Sequence, residues 1–185
     1  MKNLILTTCL IGLAFLSQAQ DVKPERKGFS IGASAGIGIL NYTKGESKEN
    51  STSLTVPNIM AGWMLNQKLG LYLNMPGVLY SENDSDRGFE ALIPSVKYWP
   101  TNRVWVLGGA GMAMDFPAFY QVDDPATEDW NTGMGALLGV GVELYQSKKW
   151  TIDLQSKFLF SKINLPSNQE MTGSALMITL GINYY

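Results

Sequence analysis

The segment WTIDLQSKFLF, residues 150–160, alternates apolar and polar side chains with a period of two residues. Successive side chains of a β-strand point to opposite faces, so this alternation predicts a strand with one apolar and one polar face. The apolar face comprises Trp150, Ile152, Leu154, Phe158 and Phe160, and the polar face comprises Thr151, Asp153, Gln155 and Lys157.

The same alternation recurs in seven further segments of the chain. It is clear in residues 29–39, 134–144 and 176–185, and noisier near 52–65, 69–80, 89–99 and 104–114. In the noisier segments, Pro57, Pro76 and Pro94 predict bulges or local breaks of the ladder. The non-apolar faces of 29–39 and 134–144 are mostly glycine and serine, which leaves space for large side chains from other strands.

The connections between these segments alternate in length. Short turns lie at 66–68, 100–103 and 146–149, whereas long polar connections lie at 40–51, 81–88, 115–130 and 161–171. Four hairpins of this kind put every long connection at one end of the sheet. With strands of about ten residues, the pattern predicts an all-β fold, an eight-stranded antiparallel up-and-down transmembrane β-barrel.

Charged residues follow the same plan, because nearly all of those after residue 20 lie in connections. The exceptions within strands are Glu90, Lys97, Glu143, Asp153 and Lys157. A nearly uncharged outer face suits a lipid environment, where a cation at the midplane costs about 2–4 kcal/mol. The alternative is a soluble lipocalin-like binder, which needs the reverse arrangement of an apolar lumen and a wet exterior.

Aromatic residues gather near the strand ends, and this predicts two girdles at the membrane interfaces. The expected girdle on the short-turn side is Trp63, Tyr98, Trp99, Trp105, Tyr145, Trp150 and Tyr184, and that on the long-loop side is Tyr80, Phe89, Phe116, Trp130 and Phe160.

The first twenty residues predict a secretory signal peptide. Lys2 precedes an apolar stretch, Leu4 to Leu16, and a small-residue cleavage pattern at Ser17-Gln18-Ala19. Removal of residues 1–20 also removes Cys9, the only cysteine, so no disulfide is expected. We expect a polar leader at residues 21–27 and a single barrel domain at 28–185.

With these features the chain resembles the small eight-stranded outer-membrane barrels, such as the OmpA transmembrane domain and OmpX, and the compact outer-membrane β-barrel domain proteins of Bacteroidota. The resemblance covers about residues 28–185 and includes the ending TLGINYY, residues 179–185. It implies an outer-membrane monomer with extracellular long loops and periplasmic short turns and termini. It also implies recognition by the barrel-assembly machinery through the last strand, which ends in Tyr184 and Tyr185. The chain stops at that strand, so the peptidoglycan-binding domain of full-length OmpA is not expected.

Composition narrows the function. The chain has 185 residues, a net charge of −2 and no histidine. One domain is expected, a nucleic-acid partner is not, and histidine-dependent catalysis is excluded. We therefore predict a non-catalytic envelope structural or surface-interaction protein without a cofactor. The alternative is a narrow pore or transporter for a small molecule, with Met60, Met64 and Tyr72 as inward-facing contacts.

Four charges are predicted to meet inside the barrel: Lys97, Glu143, Asp153 and Lys157. Glu143 and Asp153 flank one short turn, and keeping both apolar faces outward places the two carboxylates side by side. Isolated buried charges are costly, so we expect these acids and bases to pair as a salt-bridge plug near the short-turn end. A gate or a proton-linked site is the alternative.

The connection at 115–130 is acidic and contains no basic residue. Clustered carboxylates can bind calcium, but the spacing is not that of an EF-hand. We expect a solvated acidic loop and no metal site, with calcium binding as the alternative.

Overall fold

The computed structural model describes residues 22–82, 85–118, 120, 130–166 and 169–185. The predicted signal peptide lies outside this range. The described residues form ten antiparallel strands: β1 (Gly28–Lys44), β2 (Ser47–Leu54), β3 (Asn58–Asn66), β4 (Leu69–Met75), β5 (Gly77–Glu82), β6 (Ser85–Tyr98), β7 (Val104–Pro117), β8 (Asn131–Gln146), β9 (Trp150–Asn164) and β10 (Glu170–Tyr184). In the part of the chain that the structure describes, no helix is long and apolar enough to cross a membrane.

The ten strands occupy eight positions in a closed ring. β2 and β3 both pair with β1, and β4 and β5 both pair with β6. Pro57 and Pro76 lie at the two interruptions, since proline has no N–H to donate to the ladder. Pro94 lies in a short gap of the β6–β7 ladder that leaves its register unchanged. β10 pairs with β1 and closes the ring, so the predicted eight-stranded antiparallel barrel is confirmed.

The ladders fix the width of the barrel. A path across them from Gly28 returns to β1 at Gly38, ten residues further along, after passing through Met64, Gly70, Lys97, Leu107, Gly139, Lys157 and Met177. A stagger of ten residues over eight strands corresponds to a tilt of about 40° and a backbone radius of about 8 Å. A lumen of this width is one that side chains can fill.

The exterior carries the apolar faces that the alternation predicts. Outward side chains of β1 from Phe29 to Ile39 are apolar, and those of β9 are apolar or small as far as Phe160. Outward polar residues begin at Asn41 and Lys162. The band from Phe29 to Ile39 is about 25 Å tall, the height of the lipid-facing band of outer-membrane barrels. This arrangement is the reverse of the lipocalin alternative.

The predicted girdles need a correction at four positions. Trp99, Trp105, Tyr80 and Phe89 are at most 2% exposed and lie inside the barrel, not at the membrane interfaces. Trp99 lies just beyond the end of β6, two residues after the inward-facing Lys97, and its side chain enters the lumen. The outward aromatic residues on the short-turn side include Trp63, Tyr98, Tyr145 and Trp150, and those on the long-loop side include Trp130 and Phe160.

The long connections also differ from the prediction, whereas the short turns at 67–68, 99–103 and 147–149 lie where it placed them. β1 and β2 form a hairpin that turns at Gly45 and Glu46, with Gly45 in the left-handed region at φ +62°. β5 and β6 pair as far as Glu82 and Ser85, and β9 and β10 as far as Asn164 and Glu170. Polar sequence predicts loops at these positions, but strand pairing continues beyond the apolar band, because the backbone groups of polar residues form ladder hydrogen bonds as well.

The wall of the barrel contains one weakly joined seam, in the half that lies away from the short turns. Between the facing edges of β2 and β5, the described residues form a single isolated bridge, Thr55 with Val78. The Ser53 hydroxyl also donates a hydrogen bond to the carbonyl oxygen of Leu79. We call the end with the short turns the turn end and the opposite end the loop end.

Candidate functional site in the lumen

All four predicted lumen charges point inward and are buried. Lys97, Glu143 and Asp153 are 0% exposed and Lys157 is 3% exposed. Glu143 and Asp153 are direct cross-strand neighbours on β8 and β9, as the outward apolar faces require. The structure brings these four side chains into the lumen, and their partners differ from the expected ones.

Glu143 binds Arg26, a residue of the expected polar leader. Nη2 of Arg26 lies 2.6 Å from Oε2 of Glu143, and the two side chains are 5% and 0% exposed. The guanidinium carbon lies 4.9 Å from the centre of the Trp99 ring and 5.7 Å from that of Tyr185. Only a structure could reveal Arg26, because residues 22–27 carry no periodic pattern that would predict an inward position.

The leader runs across the turn end of the barrel. The Glu25 amide donates a hydrogen bond to the carbonyl oxygen of Lys148 at 2.8 Å. The Arg26 amide donates to Oε1 of Gln67 at 3.1 Å, and Nη2 of Arg26 donates to the carbonyl oxygen of Asn102 at 2.9 Å. These acceptors belong to three different short turns, so the leader covers the turn end of the lumen.

Asp153 and Lys97 are connected through Trp105. The indole N–H of Trp105 donates to Oδ2 of Asp153 at 2.7 Å, and Gln155 donates to Oδ1 at 2.7 Å. Nζ of Lys97 lies 4.1 Å from the centre of the Trp105 ring and 5.0 Å from that of Trp99. Among the described residues, neither Lys97 nor Lys157 forms a salt bridge with a carboxylate, so the expected direct lysine–acid pairs are not formed.

Two tryptophans take the place of those direct pairs. The edge of an aromatic ring is electropositive and its face is electronegative. Trp99 and Trp105 donate their edge N–H groups to Glu143 and Asp153, and both present ring faces to Lys97. Each indole thus contacts an acid and a base in the orientation that attracts both.

Glycine makes room for this arrangement. A Cβ added at Gly141 would overlap ring atoms of Trp105, and one added at Gly139 would lie 3.5 Å from the same ring. The small inward residues of β8 therefore accommodate a large side chain from β7, as the sequence predicts.

The rest of the lumen carries few charges, and it is apolar towards the loop end. Nζ of Lys157 on β9 lies 3.5 Å from the hydroxyl of Ser34 on β1, and β10 runs between these two strands. Met60, Met64 and Tyr72, the candidate transport contacts, are at most 5% exposed. Tyr72 lies beside the charges, with its ring centre 5.7 Å from Nζ of Lys97, and its hydroxyl lies 3.0 Å from the Met64 sulfur. Towards the loop end the interior is filled by side chains with 0% exposure: Leu40, Val78, Ile93, Leu137, Leu159 and Met177.

A second polar network lies at the loop end, around Asp115. Its carboxylate accepts hydrogen bonds from the Tyr80 hydroxyl at 2.7 Å, from Arg87 at 2.8 and 3.0 Å, and from Asn131 at 3.1 Å. Lys44 and Glu82 form an ion pair nearby at 2.8 Å. Within the described residues no group of three or more possible metal ligands occurs, and most of the acidic connection 115–130 lies outside them.

Comparison with known proteins agrees with this architecture. The sequence matches no protein-family model, and no curated protein matches it. The crystal structure of Neisserial surface protein A is similar over 85% of this chain and 96% of its own, with a TM-score of 0.57 and 17% identity. Ail, the attachment invasion locus protein of Yersinia pestis, is similar over 85% of this chain and 98% of its own, with a TM-score of 0.49 and 15% identity. OprG from Pseudomonas aeruginosa is similar over 89% of this chain and all of its own, with a TM-score of 0.45 and 15% identity. The chain has the fold of the small outer-membrane β-barrels.

Proposed function

We propose that this chain is a non-catalytic, monomeric outer-membrane β-barrel with a closed lumen, and that it serves the cell envelope as a structural or surface-interaction protein. The observation that carries the proposal is the packing of buried side chains at two levels of the lumen. Arg26 and Glu143 fill it at the turn end, and a layer of fully buried apolar side chains fills it further up. An eight-stranded ring has an interior that side chains can fill, and this favours a lumen closed to permeating solutes.

The membrane part of this proposal rests on the apolar exterior. Fractionation of cells followed by gel electrophoresis with and without boiling tests it, because closed barrels resist SDS until they are heated. We expect the protein in the outer-membrane fraction, with a mobility that changes on boiling. A soluble protein of unchanged mobility contradicts the proposal.

Closure of the lumen is tested by planar-bilayer recording, with a known porin in the same bilayer as positive control. We expect no steady open-channel conductance from the wild-type protein. Steady conductance that persists unchanged in Lys97→Ala and Glu143→Ala overturns the closure and favours the pore alternative.

We place the loop end outside the cell and the turn end, with both termini, in the periplasm. The support is the exposed polar hairpin of β1 and β2, in which every residue of β2 is at least partly exposed. An epitope inserted at Gly45–Glu46 should be labelled on intact cells, and one inserted at Lys148–Lys149 should be labelled only after the outer membrane is opened. The reverse pattern contradicts this orientation.

The last strand is proposed to carry the signal for the barrel-assembly machinery. Tyr184 packs outside the barrel against Trp150, with ring centres 4.8 Å apart, whereas Tyr185 is buried in the lumen. The outward Tyr184 is the accessible member of the pair. Tyr184→Ala should slow assembly in vivo more than Tyr185→Phe, as followed by the appearance of the heat-modifiable form.

A further inference from the structure

We infer that the turn end of the lumen is a binding site for guanidinium groups and that Arg26 occupies it as a tethered, displaceable ligand. This inference goes beyond the structural role proposed above, because it assigns a ligand class to a site that the barrel itself builds.

The chemistry of the site is that of guanidinium recognition. Nη2 of Arg26 donates to Oε2 of Glu143 at 2.6 Å and to the carbonyl oxygen of Asn102 at 2.9 Å. The flat cation also lies 4.9 Å from the centre of the Trp99 ring and 5.7 Å from that of Tyr185. A planar, weakly hydrated cation suits a carboxylate flanked by aromatic rings better than a compact ammonium does.

The barrel holds this site in place independently of the leader. Oε1 of Glu143 accepts a hydrogen bond from the Trp99 indole at 2.9 Å and a longer one from the Tyr185 hydroxyl at 3.4 Å. Nε2 of Gln146 donates both to Oε2 of Glu143 at 2.7 Å and to the Asn102 carbonyl oxygen at 2.6 Å. The two oxygens that bind the guanidinium are therefore oriented by one amide of the barrel, and the site is preformed.

The ligand, by contrast, belongs to a segment outside the β-ladders that is held by isolated backbone hydrogen bonds to the turns. Residues 22–27 form no strand, and the side chains of Glu25 and Lys27 are 59% and 79% exposed. Arg26 is thus the only side chain of the segment from Glu25 to Lys27 that enters the lumen. A ligand held on a short tether has an effective concentration in the millimolar range. Because the tethered Arg26 is docked, the Kd of the site for a free guanidinium ligand should lie below about 1 mM.

The test is calorimetric titration of the full-length barrel in detergent micelles with N-acetyl-argininamide and, as a matched ammonium ligand, N-acetyl-lysinamide. In Arg26→Ala the site is vacated, and we expect sub-millimolar binding of the arginine ligand and at least tenfold weaker binding of the lysine ligand. Wild type and Lys27→Ala, the control on the same leader, should bind the arginine ligand at least tenfold more weakly than Arg26→Ala. Adding Glu143→Gln to Arg26→Ala should abolish binding.

Heat-dependent gel mobility shows that each variant is folded before titration. If Arg26→Ala does not fold, Arg26→Gln, which keeps most of the length without the charge, is titrated in its place. The inference is overturned if the folded variant binds neither ligand, if it binds both equally, or if binding survives Glu143→Gln. Failure of the closed-lumen proposal is a separate result, since it appears as conductance of the wild-type protein.

Discussion

Removal of Arg26 and removal of the Glu143 charge should have unequal effects, although the two groups form one ion pair. Both side chains are buried, at 5% and 0% exposure. Arg26→Ala leaves the carboxylate fixed on a central strand without a cation, and loss of one partner of a buried pair costs about 3–5 kcal/mol. We therefore expect this variant to lose about that much of the free energy of unfolding.

Glu143→Gln acts differently because its partner is on the leader. The unpaired Arg26 can leave the lumen and be hydrated, so no buried charge remains without a partner. The variant loses the charge-assisted hydrogen bond to Arg26. It also places the new amide N–H group against another donor, either the Gln146 amide or the Trp99 indole. Because hydration of the freed Arg26 offsets the lost hydrogen bond, the net cost is mainly that of the mismatched buried donor, about 1–3 kcal/mol. The double variant should be more stable than Arg26→Ala alone, because it also removes the buried charge.

The assay is equilibrium urea unfolding in phospholipid vesicles, followed by tryptophan fluorescence and gel mobility. Lys27→Ala serves as the control, and we expect it to change stability by less than about 0.5 kcal/mol, as for an exposed surface residue. The reasoning is wrong if Glu143→Gln destabilises as much as Arg26→Ala, or if the double variant is the least stable of the three.

Three further changes probe the lumen, the exterior and the loop end in the same assay. Gly141→Ala should destabilise by about 1–3 kcal/mol, because the added methyl overlaps an indole, whereas Gly108→Ala, whose Cβ would meet its nearest neighbour at 3.6 Å, should be neutral. Leu154→Arg in the apolar band should destabilise by about 2–4 kcal/mol in vesicles, and Thr172→Arg above the band by less than about 1 kcal/mol. Tyr80→Phe should cost about 1.5–3 kcal/mol, because it removes a 2.7 Å hydrogen bond to a buried carboxylate. Equal effects at the two positions of either control pair, or a neutral Tyr80→Phe, contradict the corresponding assignment.

The period-two pattern was sufficient to predict the ring, because one buried and one lipid-facing side of each strand leave a single choice of orientation. It also placed Lys97 and Glu143 inside. It did not predict how they are partnered, because pairing depends on the stagger around the barrel, which brings residues of distant strands to one level. Trp99 and Trp105 were misplaced for a related reason: an aromatic residue near a strand end suits both the lumen and the interface. Arg26 could not be found from any pattern, since a leader without periodicity gives no face.

The seam between β2 and β5 divides the ring into zones of different resistance to local opening. On the loop-end side of Thr55 and Val78, β2 is held by its ladder to β1. On the turn-end side, ladders close the wall between all neighbouring strands. Amide protons of β2 should therefore exchange with solvent deuterium far faster than those of β9, which has a ladder on each side. The strand β2 can thus open locally, while β1, which pairs with β10 as far as Lys44, and the rest of the barrel stay closed.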